Sequence, residues 1–161
     1  MREVAAETAD AGIYRELAPE LIRFASALVG PADAADVLSN AVVKALASPS
    51  WSTLTDHRPY LYRVVLNEAR TWARRRSLRI EREQQTVAHP STWELPRLDP
   101  EIAAAVRGLS LRQRAVVVLT YWGDLDPAAV AVRLGISEGS VRRHLARARA
   151  RLREVLDAGR R

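Results

Sequence analysis

From Gly123 to Leu156 the chain reads GDLDPAAVAVRLGISEGSVRRHLARARARLREVL, and no other stretch restricts the fold so tightly. Asp126 followed by Pro127 is a helix start, a side-chain cap and then a residue that needs no N–H. Val130 and Leu134 fall four apart on one helical face. Gly135 stands where a left-handed residue ends that helix, and Ile136 can fill the gap before the next one. Ser137 can cap a second helix with an apolar stripe of Val141, Leu145, Ala148, Leu152 and Val155. Two helices meeting at a tight turn are expected.

The opposite side of the second helix is basic. At roughly 100° per residue, Gly139, Ser140, Arg143 and Arg147 point away from the stripe, with Arg142 and Arg153 on its flanks. A recognition helix needs such a face, since small residues let it approach base edges and guanidinium groups reach phosphates or guanine. A solvated basic face on an ordinary helical hairpin has the same pattern, and this stretch alone does not separate the two.

Composition narrows the choice. The 161 residues carry a net charge of +6 and are 48% hydrophobic, which speaks for a folded chain with a polyanionic partner. From Val130 onward nine arginines face only Glu138, Glu154 and Asp157; Arg70, Arg74, Arg75, Arg76, Arg79 and Arg82 form a second cluster. Two basic patches suggest two contacts with one polymer. Lys44 is the sole lysine, a bias that GC-rich coding also produces. Without cysteine there is no disulfide or thiolate metal site. No apolar run approaches the roughly 18 residues of a membrane span, and MREVAAETAD has no signal-peptide core. A cytoplasmic protein is expected.

Upstream, Ile13, Tyr14, Leu17, Leu21, Phe24, Ala25 and Leu28 keep helical spacing, with Pro19 expected to kink or split the helix and Gly30-Pro31 to end it. Asp33, with Asp36 three residues on, can cap a second helix carrying Val37, Leu38, Ala41, Val42 and Leu46. The stretch SPSWSTLTDH reads as a loop holding Trp51, and Asp56 opens a third helix to about Arg79. That helix has a buried stripe, Leu61, Val65, Ala69 and Trp72, and a separate one of Tyr60, Arg63, Asn67, Arg70 and Arg74. An aromatic, an amide and three arginines suit a nucleic-acid strip; a soluble amphipathic helix with a basic tail is the alternative.

Periodicity fails from Glu83 to Pro100, where prolines mark a linker in which Trp93 and Leu95 could dock. Asp99-Pro100 starts a short helix with Ile102 and Val106, and Ser110 with Gln113 forms a capping box for a helix bearing Val116, Val117, Leu119 and Tyr121. An all-α fold of two small helical domains follows, residues 1–82 and 100–161, joined by a linker at 83–99. His57, His89 and His144 are isolated, and neither a phosphate loop nor a nucleophile–base set appears, so no enzyme, metal or cofactor is expected.

Three stretches together resemble the extracytoplasmic-function (ECF) branch of bacterial RNA polymerase sigma factors. PADAADVLSNAVVKAL is similar to the helix that docks on the β′ clamp coiled coil, YLYRVVLNEARTWARRRS to the −10 element helix, and LSLRQRAVVVLTYWGDLDPAAVAVRLGISEGSVRRHLARARARLRE to the −35 helix-turn-helix. The resemblance implies polymerase contacts at Asp36, Asn40 and Lys44. It also implies −10 contacts at Tyr60, Arg63, Asn67, Arg70 and Arg74, and −35 contacts at Ser140, Arg142, Arg143 and Arg147. A base pocket would lie between Ser48 and His57. Core RNA polymerase, through its β′ clamp and β flap, promoter DNA and an anti-sigma factor are the implied partners, with no small-molecule substrate. This chain departs from the family at Ser39-Asn40 (usually Gln-Glu), Val42 (usually aromatic), Tyr60 (usually Trp) and Asp126-Pro127 (usually Ser-Tyr). Glu138 could accept from a cytosine amine or repel phosphate. Two alternatives stay open: a degenerate sigma that only binds partners, and a repressor or activator acting without polymerase.

Overall fold

The computed structural model describes residues 2–82 and 100–158, and every regular element among them is helical. In order these are α1 (Arg2–Val29), α2 (Pro31–Leu46), a 3-10 turn (Trp51–Thr53), α3 (His57–Arg82), α4 (Pro100–Arg107), α5 (Leu111–Tyr121), α6 (Pro127–Leu134) and α7 (Glu138–Ala158). The expected linker, with Trp93, Leu95 and the Asp99 cap, lies outside the described residues.

The first three helices pack on one another through Leu17, Leu21, Phe24 and Leu28 of α1, Val37, Leu38 and Ala41 of α2, and Leu61, Val65 and Ala69 of α3. Each fully buried Leu or Val contributes about 1.5–3 kcal/mol. Pro19 does not split α1. It lies on the exposed side, where water can serve the carbonyl it leaves unpaired, while Leu17 and Leu21 anchor the turns around it. Tyr14, placed in the apolar stripe by spacing, is exposed.

Asp33 is not the cap of α2. Gly30, at φ 94, turns the chain so that Pro31 becomes the first helical residue, which puts Asp33 inside the first turn. Asp56 does open α3, its carboxylate accepting from the Arg58 N–H at 2.9 Å. Trp51 is buried in the loop; its indole N–H donates to Asp10 at 2.9 Å and its ring lies 4.3 Å from that of His57.

In the second half, α4, α5 and α6 pack on α7. The capping box at Ser110 is complete, with Ser110 Oγ accepting from the Gln113 N–H and Gln113 Oε1 from the Ser110 N–H. Asp126 accepts from the Ala129 N–H at 2.7 Å, and Gly135 ends α6 at φ 64. Ile136 then donates back to the Ala131 carbonyl at 3.1 Å, so a left-handed residue closes the turn. Ser137 Oγ accepts from the Ser140 N–H and caps α7.

Spacing overstates burial at the ends of the helices. Ile102, Tyr121 and Val155 are exposed, and Trp72 is half-buried beside Arg76. For Val155 the cause is length: α7 has 21 residues, about 31 Å, against 11 residues in α5, so its last turns run past the bundle.

The two halves share one continuous core, α1 packing on α5 and α3 on both α5 and α6. That contact buries Tyr62 and Leu66, which belong to neither of the stripes expected on α3.

Candidate nucleic-acid interface

Beyond the Gly135 turn, Arg142, Arg143 and Arg147 are exposed along α7, with Ser140 half-buried at its start. Arg142 Nη2 is held by Glu138 Oε2 at 2.8 Å, and Arg143 Nη2 donates to Ser140 Oγ at 3.0 Å. Glu138 therefore orients a neighbouring arginine, one helical turn on at i,i+4. His144 sits among these groups. Burial lowers its pKa, and Arg112, Arg147 and Arg143 lower it further, so its ring is neutral near pH 7 and leaves the positive face to the guanidinium groups.

On α3, Arg63, Asn67, Arg70 and Arg74 are exposed on one strip, while Tyr60 is half-buried with its ring 6.3 Å from that of Trp51. Arg63 Cζ lies 5.9 Å from the Tyr60 ring centroid. The strip does not face open water along its whole length. Arg63, Leu66, Asn67 and Arg70 line a cleft of about 220 Å³ whose other wall is Arg112, Leu134, Gly135 and Ile136. No carboxylate is among these residues, so three guanidinium groups surround a space that favours an anion.

The contact across the cleft is close. A Cβ added at Gly135 would sit 2.6 Å from Arg63 Cδ, so a larger residue would have to push this side chain aside as well as bear the strain of φ 64. Beside it, Arg133 of α6 lies over the Tyr62 ring, 4.9 Å from its centroid. Burial raises the Tyr62 pKa and Glu20 raises it further, against the lowering influence of Arg133 and Arg58. A larger cavity of about 590 Å³ opens between the halves, lined among others by Phe24, Tyr62, Leu119, Trp122, Arg58 and Arg133. Local spacing identifies Gly135 as a helix stop, but its partner Arg63, like Arg112 and Arg133 as cleft and contact residues, cannot be foreseen from periodicity within either half.

On the outer face of α2, Asp36 and Asn40 are exposed, and Lys44 Nζ is 2.5 Å from Glu68 Oε1 of α3. Val43 (66% exposed) and Leu46 (44%) stand beside them as apolar residues with no cover.

The chain matches the family models Sigma-70 region 2 over residues 13–79 and Sigma-70, region 4 over residues 100–152. It is 35% identical to the RNA polymerase sigma-E factor of Streptomyces coelicolor over 144 residues, 86% of this chain and 80% of that one. With the ECF RNA polymerase sigma factor SigL of Mycobacterium tuberculosis it shares 34% over 144 residues, 83% of this chain and 80% of the other. The chain belongs to the ECF sigma factors.

As an ECF sigma factor it directs promoter recognition by core RNA polymerase. Its region 2 match spans most of α1, α2 and the strip of α3; its region 4 match contains the helix-turn-helix. The fold is shared with sigma factor RpoE of Bartonella quintana, solved with the anti-sigma factor NepR (TM-score 0.66, 22% identity, 98% of each chain). It is shared also with CnrH, solved with the cytosolic domain of CnrY (TM-score 0.61, 24% identity, 94% and 90% of the chains). Among the described residues no helix is long and apolar enough to cross a membrane, and no group of His, Cys, Asp and Glu could hold a metal.

Proposed function

We propose that residues 1–82 act as the region 2 unit and residues 100–161 as the region 4 unit, with 83–99 as the linker between them. Region 4 would place α7 in the major groove of the −35 element, with Arg142, Arg143 and Arg147 meeting base edges or phosphates and Ser140 at the close approach. Region 2 would use Tyr60, Arg63, Asn67, Arg70 and Arg74 on the −10 strand. An unstacked base there gains about 1–3 kcal/mol by stacking, and arginine–phosphate contacts offset more of the cost of unpairing. The initiation step would then need no chemistry from this chain, only differential binding of the open duplex.

Asp36, Asn40 and Lys44 would meet the β′ clamp, with the β flap engaging region 4. The same reading places the protein in the cytoplasm. It also gives it an anti-sigma factor, by analogy with the complexes in which RpoE and CnrH were solved.

The observation that carries this reading is that two cationic strips, on α3 and on α7, lie in the region 2 and region 4 matches respectively. Run-off transcription with purified core polymerase on genomic fragments tests it. Discrete promoter-dependent transcripts are expected, sensitive to substitutions in either strip. Failure to associate with core polymerase would overturn it, and binding to a two-fold symmetric site without polymerase would favour a repressor or activator.

A further inference from the structure

Trp51 is the only aromatic residue between α2 and α3. It is buried although it sits in a short 3-10 turn, and an indole has a single N–H that needs an acceptor once out of water. That acceptor is Asp10 of α1, at 2.9 Å. Asp10 lies upstream of the region 2 match, which begins at residue 13, so the loop is tied to a part of α1 that the family pattern does not include.

Two rings rest on Trp51. His57, the first residue of α3, packs at 4.3 Å, and its Nε2 lies 3.2 Å from the Trp51 carbonyl oxygen. Tyr60 packs at 6.3 Å, and its own ring centroid is 5.9 Å from Arg63 Cζ. The contacts thus run from Asp10 through Trp51 and Tyr60 to Arg63, from α1 to the first two residues of the −10 strip. The start of α3 is held separately, because Arg58 pairs with Glu16 at 3.2 Å and with Glu20 at 3.1 Å, both on α1. Loss of the indole bond therefore leaves the helix in place and frees the loop and the Tyr60 ring.

We propose that Asp10 is a positioning residue for promoter opening: by fixing the Trp51 indole, it holds the 48–57 loop and the Tyr60 ring in the orientation that receives the −10 strand. The inference rests on the region 2 assignment made above and adds to it a residue outside the DNA-facing strip. A carboxylate suits the task, since its charge-assisted bond to an indole N–H is stronger than a neutral one. A ring fixed before the strand arrives costs less ordering when the strand binds.

Full-length chains bound to core polymerase test this by permanganate reactivity of the bubble, read beside binding to closed duplex. Asp10→Leu removes the acceptor at similar size and should lower bubble reactivity about fivefold, the worth of one hydrogen bond, while duplex binding changes little. Asp10→Asn keeps a carbonyl acceptor and should recover most of the loss. Trp51→Phe removes the donor, so adding Asp10→Leu to it should lower opening no further.

Normal opening by Asp10→Leu, beside impaired opening by Asn67→Ala, would overturn the positioning role alone. Normal opening by both variants would strike the region 2 reading as well. An equal defect in Asp10→Asn would show that the hydrogen bond is not the cause, and a parallel loss of duplex binding would mark a structural defect; either result overturns the proposal.

Discussion

Arg114 Nη1 of α5 donates to the carbonyl oxygen of Leu28 at 2.5 Å, linking the last turn of α1 to the second half of the chain. The same guanidinium donates to the carbonyls of Val106, Arg107 and Leu109, so it closes the end of α4 and joins the halves at once. Burial, and secondarily Arg107, pull its pKa down to about 10, which still leaves it charged at neutral pH. Gly30 and Pro31 stop α1 beside this bond, so the Leu28 carbonyl cannot find a helical partner further along.

Arg114→Met keeps most of the buried volume and removes every donor. It should lower unfolding stability by about 2–4 kcal/mol, because several buried carbonyls lose their partner. Arg114→Lys should recover only a fraction of this, since an ammonium cannot fork between carbonyls on two helices. Urea midpoints of the three proteins provide the check; a loss under about 0.5 kcal/mol for Arg114→Met would mean that water replaces the guanidinium.

His144 gives a pH dependence of defined sign. Its folded pKa lies below the ordinary 6.5, so the unfolded chain binds the proton more readily. The stability it contributes is complete above about 6.5 and is lost as pH falls from there through the folded value. His144→Gln should flatten the slope between pH 7.5 and 5.5 relative to the native chain. Thermal unfolding at these pH values measures it, and parallel curves for the two proteins would contradict the assignment.

Local chemistry made the elements legible. Asp126-Pro127, Gly135, Ser137 and the Ser110–Gln113 box each act within a few residues, and the structure has them in those roles. Apolar spacing likewise marks Val130, Leu134, Val141 and Leu145, and all four are buried. Contacts between the halves were not legible, because periodicity reports a face and not its partner. Tyr62 and Leu66 look like flank residues of α3 until α6 covers them, and Arg114 looks like one more surface arginine on α5. Where two start signals competed, at Asp33 and Pro31, the glycine–proline pair prevailed because it sets backbone angles directly.

At the −35 element the three exposed arginines should differ. Arg143→Ala and Arg147→Ala are expected to weaken binding of the holoenzyme by about 1–3 kcal/mol where the side chain reads a base, with relaxed sequence preference at that position. A phosphate-binding arginine would instead lower affinity evenly and reduce the salt slope by about one. Glu138→Gln should free Arg142 from its 2.8 Å partner and raise affinity for nonspecific duplex. Salt-dependent binding curves on matched and mismatched promoters separate these outcomes.

Asn67 should matter for opening more than for the first encounter, and Arg70 for both. Asn67→Ala removes an amide able to pair with a base edge, and it leaves the arginine charge of α3 intact. Permanganate reactivity of the promoter bubble should fall several-fold while binding to closed duplex changes little. Arg70→Ala should reduce both. Normal bubble formation by Asn67→Ala would remove the residue from the strand-capturing set.

Polymerase docking can be tested on the outer face of α2, where burial and charge make separate demands. Val43 is 66% exposed and makes no core contact, so Val43→Asp should leave the unfolding midpoint within about 0.5 kcal/mol of native. If this face meets the clamp, a carboxylate there is desolvated without a partner, and association with core polymerase should weaken by about 1–3 kcal/mol. Lys44→Ala acts differently, because it also frees Glu68, whose side chain is only 11% exposed, and so should cost both stability and docking. Competition for core polymerase between native and variant chains, read beside their urea midpoints, distinguishes a docking surface from a structural one. A Val43→Asp chain that competes as well as the native one would move the contact off this face of α2.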